Sequence, residues 1–326
     1  MGAVGQNVIR KESRDKVHGV AKYVDDLRFP GMMYGRTIRS VAAKGRLRGF
    51  KLSNAPSDLV VVTAKDIPGD NVIAMLDSDQ PCLASDRIEH PAEPVVLLAH
   101  SDKQVLSAVV VELDVEQETP TFDPQRSKTT FKEIAIRKGD VASAKHAGLI
   151  VTEGEYHTGH QEQLYIETNG MIAVPEATRM SIYGSMQCPY YVQPALARVL
   201  GVPADQCRIV QAETGGGFGG KEEYPSILAA HAALLARKAG RPVKMIYDRT
   251  EDMWATTKRH PCRVKISSGV TPEGQLQFLD IDVLMDGGAY CTLSPVVLSR
   301  GVIHAAGPYR CPNTQIVGRA VKTNTP

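Results

Sequence analysis

Five glycines in the six positions 215–220, interrupted only by Phe218, constrain this chain more than any other feature. Without a Cβ, such a loop lets backbone amides come into direct contact with a ligand. It also permits the positive φ that turns successive N–H groups toward one anion. Cys207-Arg208-Ile209-Val210-Gln211 ahead of it reads as a strand. Pro225 to Ala239 behind it reads as a helix with Pro near its first turn and Gly240 just past its end. Strand, glycine loop and helix N-terminus together make an anion site.

Two familiar anions do not fit. The loop matches G-x-x-x-x-G-K, but Glu222 stands where a phosphate loop needs Ser or Thr for magnesium. It also matches G-x-G-x-x-G, yet lies far along the chain and lacks an acidic residue about twenty residues on. A tight turn that binds nothing is the bland alternative, but a mere turn does not need the aromatic wedge Phe218.

Gly-Gly-Gly-Phe-Gly-Gly-Lys after a strand resembles the molybdopterin-binding loop of the xanthine dehydrogenase / aldehyde oxidase family. Other stretches carry the same resemblance, in the family's order and spacing. They are Thr63 to Gly69, Glu93 to Ala99, Gly159 to Glu167, Ser185 to Pro189, Asp248 to Met253 and Lys258 to Pro261. The resemblance implies an α+β fold: an α/β hammerhead domain over 1–122, a polar linker at 123–127, and the first molybdopterin-binding domain over 128–326. It also implies a hydroxylase that oxidises an electron-poor carbon with water as the oxygen source. The metal is held through a pterin dithiolene, so no protein side chain is expected as a metal ligand.

The same resemblance assigns residues. Gln187 matches the family glutamine that hydrogen-bonds a ligand of the molybdenum, where an amide N–H₂ donates without adding charge. Gly216, Gly217, Phe218 and Gly219 match the segment whose amides meet the cofactor. Glu222 and Arg300 match two substrate-binding residues of purine-oxidising members. A carboxyl and a planar guanidinium can hydrogen-bond ring nitrogens and a carbonyl, which favours a purine or related N-heterocycle over an aldehyde or carbon monoxide. Read without the family, Glu222 is a capping charge and Arg300 a surface ion pair.

No glutamate in the chain matches the family's general base. That base is expected on a partner chain carrying the second molybdopterin half, with 2Fe-2S and FAD on further partner subunits. The cofactor is expected as Mo-molybdopterin or its cytosine dinucleotide form. The alternative is a truncated, non-catalytic fragment or assembly module of such an enzyme.

Composition sets outer limits. A net charge of +2 over 326 residues gives no reason to expect nucleic acid or an anionic membrane as partner, and Lys44, Arg46 and Arg48 read as a solvated face. No apolar run is long enough to span a bilayer and the N-terminus lacks a signal pattern, so a cytoplasmic protein is expected. The six cysteines are scattered without a C-x-x-C, against an iron–sulfur or structural zinc site in this chain.

Periodicity places the elements. In the first half, strands are expected at 32–38, 59–63, 94–99 and 109–116, with a helix from Ser101 to Val110 capped by Ser101. In the second, strands are expected near 152–157, 170–174, 180–185, 243–247 and 276–284, with a helix from Pro189 to Leu200 that ends at Gly201. His160 with Glu162, His260 and Asp286 read as structural rather than metal-binding.

Overall fold

The computed structural model describes residues 2, 4–73, 75–146 and 148–326; of the N-terminal residues read for a targeting signal, Met1 and Ala3 lie outside it. Its spine is a seven-stranded mixed sheet. From edge to edge the strands are Cys207–Gln211, Met180–Gly184, Gly170–Pro175, Val243–Ile246, Met33–Arg39, Pro94–His100 and Val60–Val62. Residues from either side of 123–127 therefore share one sheet, joined where Met33 and Tyr34 pair in parallel with Val243 and Lys244.

The run Pro94–His100 is buried at every position. Alternation sends Leu97 and Ala99 into the core on one face of the sheet, and Val96 and Leu98 into the core on the other. On the first face lies the helix Pro225–Ala239, buried continuously from Pro225 to Ala236. Its alanines let sheet and neighbouring helix approach closely, which is why an element apolar on all sides reads as interior. Arg237 and Lys238 occupy its last turn, and Gly240 ends it at φ 64°. Pro189–Leu200 packs beside it and stops at Gly201, also left-handed.

Two smaller sheets complete the molecule. The three-stranded one runs Arg87–Ile88, Gly45–Ser53, Val110–Gln117. The five-stranded one runs Thr130–Lys138, Asn313–Val321, Leu276–Asp286, Cys262–Val270, Ile150–Thr158. Leu298 and Val302 of the helix Ser294–His304 close the latter's core against Ile281, Ile316 and Ala320. No helix among the described residues is long and apolar enough to cross a membrane.

Most expected elements are present; two expectations are corrected. The helix expected from Ser101 runs only from Lys103 to Ala108, capped by Asp102, whose carboxylate accepts the Gln104 N–H at 2.7 Å. Val110 belongs to the following strand, where its β-branch is favoured. Lys44 is half-buried rather than solvated, whereas Arg46 and Arg48 are exposed on alternate positions of the strand Gly45–Ser53. That strand, and those at 130–138 and 313–321, carry too few apolar residues in strict alternation to be read beforehand, whereas the alternation of Cys262, Val264 and Ile266 was there to be read.

Leu97 is fully buried in the sheet's central region. Leu97→Ala should cost about 3 kcal/mol of unfolding free energy, read as a lower urea midpoint at unchanged slope. The exposed Glu112→Ala should stay within roughly 0.5 kcal/mol of the parent.

Candidate functional site

The glycine loop leaves the sheet's edge strand Cys207–Gln211 and re-enters the core as the helix at Pro225. Between them it rests on three side chains, those of Tyr165, Glu167 and Gln187. Gln187 Oε1 accepts the N–H of Gly219 at 3.0 Å and of Lys221 at 3.2 Å, and its own backbone N–H donates to the Lys221 carbonyl at 2.7 Å. Only the oxygen of an amide can accept two N–H groups, so its orientation is fixed. The N–H₂ end then has no hydrogen-bond partner among the described residues.

The loop's amides divide into used and unused. Gly215 N–H donates to Glu167 Oε2 at 2.7 Å and Gly220 N–H to the Gly217 carbonyl at 2.7 Å. The N–H groups of Gly216, Gly217 and Phe218 make no hydrogen bond among the described residues. Three successive donors without a protein partner call for an external acceptor.

Glycine is needed here for close approach. A Cβ on Gly217 would lie 2.4 Å from Gln187 Oε1, and one on Gly220 2.5 Å from Tyr165 Cε1. Phe218 adopts φ 49°, a left-handed conformation that costs a non-glycine residue energy, and the residue is 77% exposed. Strained backbone and a solvent-facing aromatic at one residue persist only where the surroundings over-determine the loop.

Lys221 does not reach out toward a ligand but turns inward to the Glu167 carboxylate. It is wholly buried, donating to the Glu167 carbonyl at 2.6 Å, to Ser185 Oγ at 2.8 Å and to Glu167 Oε2 at 3.2 Å. Burial lowers its pKa, opposed by Glu167. Tyr165 is held in turn: its hydroxyl donates to Asp252 Oδ1 at 2.9 Å and accepts from Asn169 Nδ2 at 2.7 Å. None of Tyr165, Glu167, Asn169, Lys221 or Asp252 was legible as a site residue, because their roles come from contacts across the chain.

Glu222 and Arg300 are brought together. Both line a cavity of ≈ 260 Å³ whose other walls are Met75, Leu76, Tyr191, Pro194, Leu293, Val296 and Val297. Neither forms an ion pair or hydrogen bond among the described residues. Opposite charges in an otherwise apolar cavity suit a flat, polar, neutral ring.

Of the remaining candidates, His160 lines a cavity with His260 and Asp286, and the others are held by neighbours. Glu162 pairs with Lys258 at 2.7 Å, His260 Nε2 meets Ser294 Oγ at 2.9 Å, and Asp286 accepts from the Gly288 N–H and Thr323 Oγ1. No cluster of three or more metal-ligating side chains occurs among the described residues. All six cysteines are free, with Cys188 half-buried at the start of a helix. Next to the loop, Glu223 has its carboxyl withdrawn from water, which pushes its pKa from 4.5 up to about 7.

Comparison with known proteins places both parts of the chain in known families of domains. Residues 122–326 match the family profile described as molybdopterin cofactor-binding domain. Residues 18–119 match that of the aldehyde oxidase and xanthine dehydrogenase a/b hammerhead domain. The chain is 35% identical over 97% of its length to a probable xanthine dehydrogenase component of Bacillus subtilis, and spans 44% of that protein. It is 30% identical over 99% of its length to the nicotinate dehydrogenase large molybdopterin subunit of Eubacterium barkeri, and spans 80% of that chain. Its fold matches the aldehyde oxidoreductase of Desulfovibrio desulfuricans with a TM-score of 0.88 at 19% identity, covering 98% of this chain and 39% of the other.

Glu223 makes stability depend on pH. Its folded pKa of about 7 exceeds the unfolded 4.5, so its contribution to stability is complete below pH 4.5 and is lost as pH rises through 7. Glu223→Gln should raise unfolding free energy at pH 8 by up to about 3 kcal/mol and leave it nearly unchanged at pH 4.5, measured by denaturant titration at both values.

Proposed function

The chain belongs to the aldehyde oxidase and xanthine dehydrogenase family as a molybdopterin-binding part, and from that premise we propose that it helps hydroxylate a purine or related N-heterocycle. The observation that carries the proposal is the row of donors left unused among the described residues: the N–H groups of Gly216, Gly217 and Phe218, and the N–H₂ of Gln187. All are neutral, so they can meet the electron-rich ligands and pterin edge of a molybdenum cofactor without adding charge to the metal. The space a Cβ on Gly217 would fill is already closed by Gln187, so the cradle has no room for a side chain at that position.

When bound, the cofactor supplies the two-electron oxidation of the substrate carbon, with water as the oxygen source. This chain's residues supply position. Gln187 is held by the Gly219 and Lys221 amides and aims its N–H₂ from a fixed point. Phe218 offers its exposed ring as a wall. Glu222 and Arg300, without other partners among the described residues, orient the heterocycle through ring nitrogens and a carbonyl. Relatives are named for xanthine, for nicotinate and, at 30% identity, for aldehyde oxidation, so the preference for an N-heterocycle rests on Glu222 and Arg300.

The chain spans only part of the B. subtilis relative, and no residue here is assigned as general base. We assign that base, and the second half of the cradle, to a partner chain. We assign 2Fe-2S and FAD to further subunits, in the cytoplasm, with the pterin bare or as its cytosine dinucleotide.

Purification of the chain with its natural partners, followed by molybdenum and pterin analysis, tests this reading; a complex without molybdenum would overturn it. In the molybdenum-loaded complex, Gly217→Val should abolish pterin retention, because its side chain must displace Gln187. Glu222→Ala or Arg300→Met should lower purine turnover by about a hundredfold at normal molybdenum content. Metal lost in step with activity in both variants would make these two residues structural.

A further inference from the structure

We propose that Lys221, Glu167 and Ser185 form a buried clamp that sets the register of the glycine loop, and that Lys221 is a positioning residue rather than an anion ligand. The inference rests on reading the loop as the cofactor cradle. Sequence pattern alone argues the opposite, since a lysine directly after a glycine-rich loop is the usual partner of a phosphate.

The geometry assigns the clamp. Glu167 Oε2 accepts from the N–H of Gly215 at 2.7 Å, from Ser185 Oγ at 2.6 Å and from Lys221 Nζ at 3.2 Å. Gly215 and Lys221 are the first and last residues of the seven-residue run, so one carboxylate oxygen ties both ends of the loop. Lys221 Nζ directs its three protons to the Glu167 carbonyl, Glu167 Oε2 and Ser185 Oγ. It also lies 4.7 Å from the centre of the Tyr165 ring. Nothing is left of it to meet a ligand.

Each partner is itself anchored. Ser185 follows the strand Met180–Gly184, and its N–H donates to the Gly170 carbonyl at 3.3 Å. The Glu167 N–H donates to the Gly215 carbonyl at 3.3 Å, which closes a second link to the same end of the loop. A Cβ on Gly215 would lie 2.6 Å from Glu167 Cβ, so the two segments are in contact. With both ends pinned, the intervening Gly216, Gly217 and Phe218 cannot relax from the conformation that leaves their amides unused. Phe218 is held at its strained φ by the same closure.

The test uses a double variant, Lys221→Met with Glu167→Gln. It removes the ion pair without leaving a lone buried charge, the usual cause of misfolding in single variants. Hydrogen exchange of the complex should show the Gly215 and Lys221 amides exchanging faster, while amides within Pro225–Ala239 stay protected. The molybdenum cofactor should dissociate about tenfold faster or more, as for outer-shell partners of other bound centres. Ser185→Ala should move both readouts the same way by less. Wild-type loop exchange and cofactor release, with only a lower unfolding midpoint, would reduce the trio to an ordinary core ion pair. Faster cofactor release with unchanged loop exchange would make Lys221 a direct ligand and overturn the clamp. A parent complex that never holds molybdenum would overturn the cofactor reading, and the exchange arm would still decide the clamp.

Discussion

Contact between the glycine loop and the segment 165–167 is the constraint on which the rest of this structure depends. The loop lies so close to Tyr165, Glu167 and Gln187 that side chains are excluded at Gly217 and Gly220 by steric overlap. A loop seated this tightly cannot fold over its backbone donors. It exposes them in a row, beside a phenylalanine held in a conformation it would not choose. Removing the side chains gives more than flexibility: it allows a rigid fit to a polar floor.

That floor is rigid because it is buried and closely hydrogen-bonded. Asp252 receives the Tyr165 hydroxyl and both the backbone and side-chain amides of Asn169. Asp252 belongs to the helix Arg249–Ala255, whose Glu251 pairs with Arg39 at 3.0 Å. Arg39 also donates to the hydroxyls of Tyr224 at 3.2 Å and Tyr247 at 2.6 Å, and to the Ala92 carbonyl at 3.1 Å. A guanidinium from the first half of the chain thereby fixes the residue that opens the loop's helix. A buried charge satisfied from four sides costs little once made and much if disturbed, which favours one arrangement over its competitors.

The site uses two kinds of electrostatics in neighbouring places. Around the loop the donors are backbone and amide N–H groups, polar but neutral, while the cation Lys221 is turned inward. In the adjoining cavity, Glu222 and Arg300 stand among apolar walls, without other partners among the described residues. Neutral donors suit an anionic group whose charge must not be cancelled; opposed charges suit an uncharged ring with donors and acceptors on its edge. The division is what the proposed function asks of the two places.

Much of this could be read from the residues. The strand 207–211, the helix Pro225–Ala239 with its Gly240 stop and the helix Pro189–Leu200 with its Gly201 stop follow from local rules: proline at a first turn, glycine at a left-handed end. Gln187 and Phe218 could be named because the short runs around them resemble those of a known family. What sequence could not supply is anything that depends on contacts between distant residues. The direction in which Lys221 points is set by a carboxylate 54 positions earlier. The charge of Arg39 is answered by Glu251 and by the hydroxyls of Tyr224 and Tyr247, all in the last third of the chain, and Met33 beside Val243 joins both halves in one sheet. Glycine spacing determined that a loop would approach something closely. Only the packed structure decided what it approached, because local backbone preference is written in neighbouring residues, whereas burial and charge pairing are written in the fold.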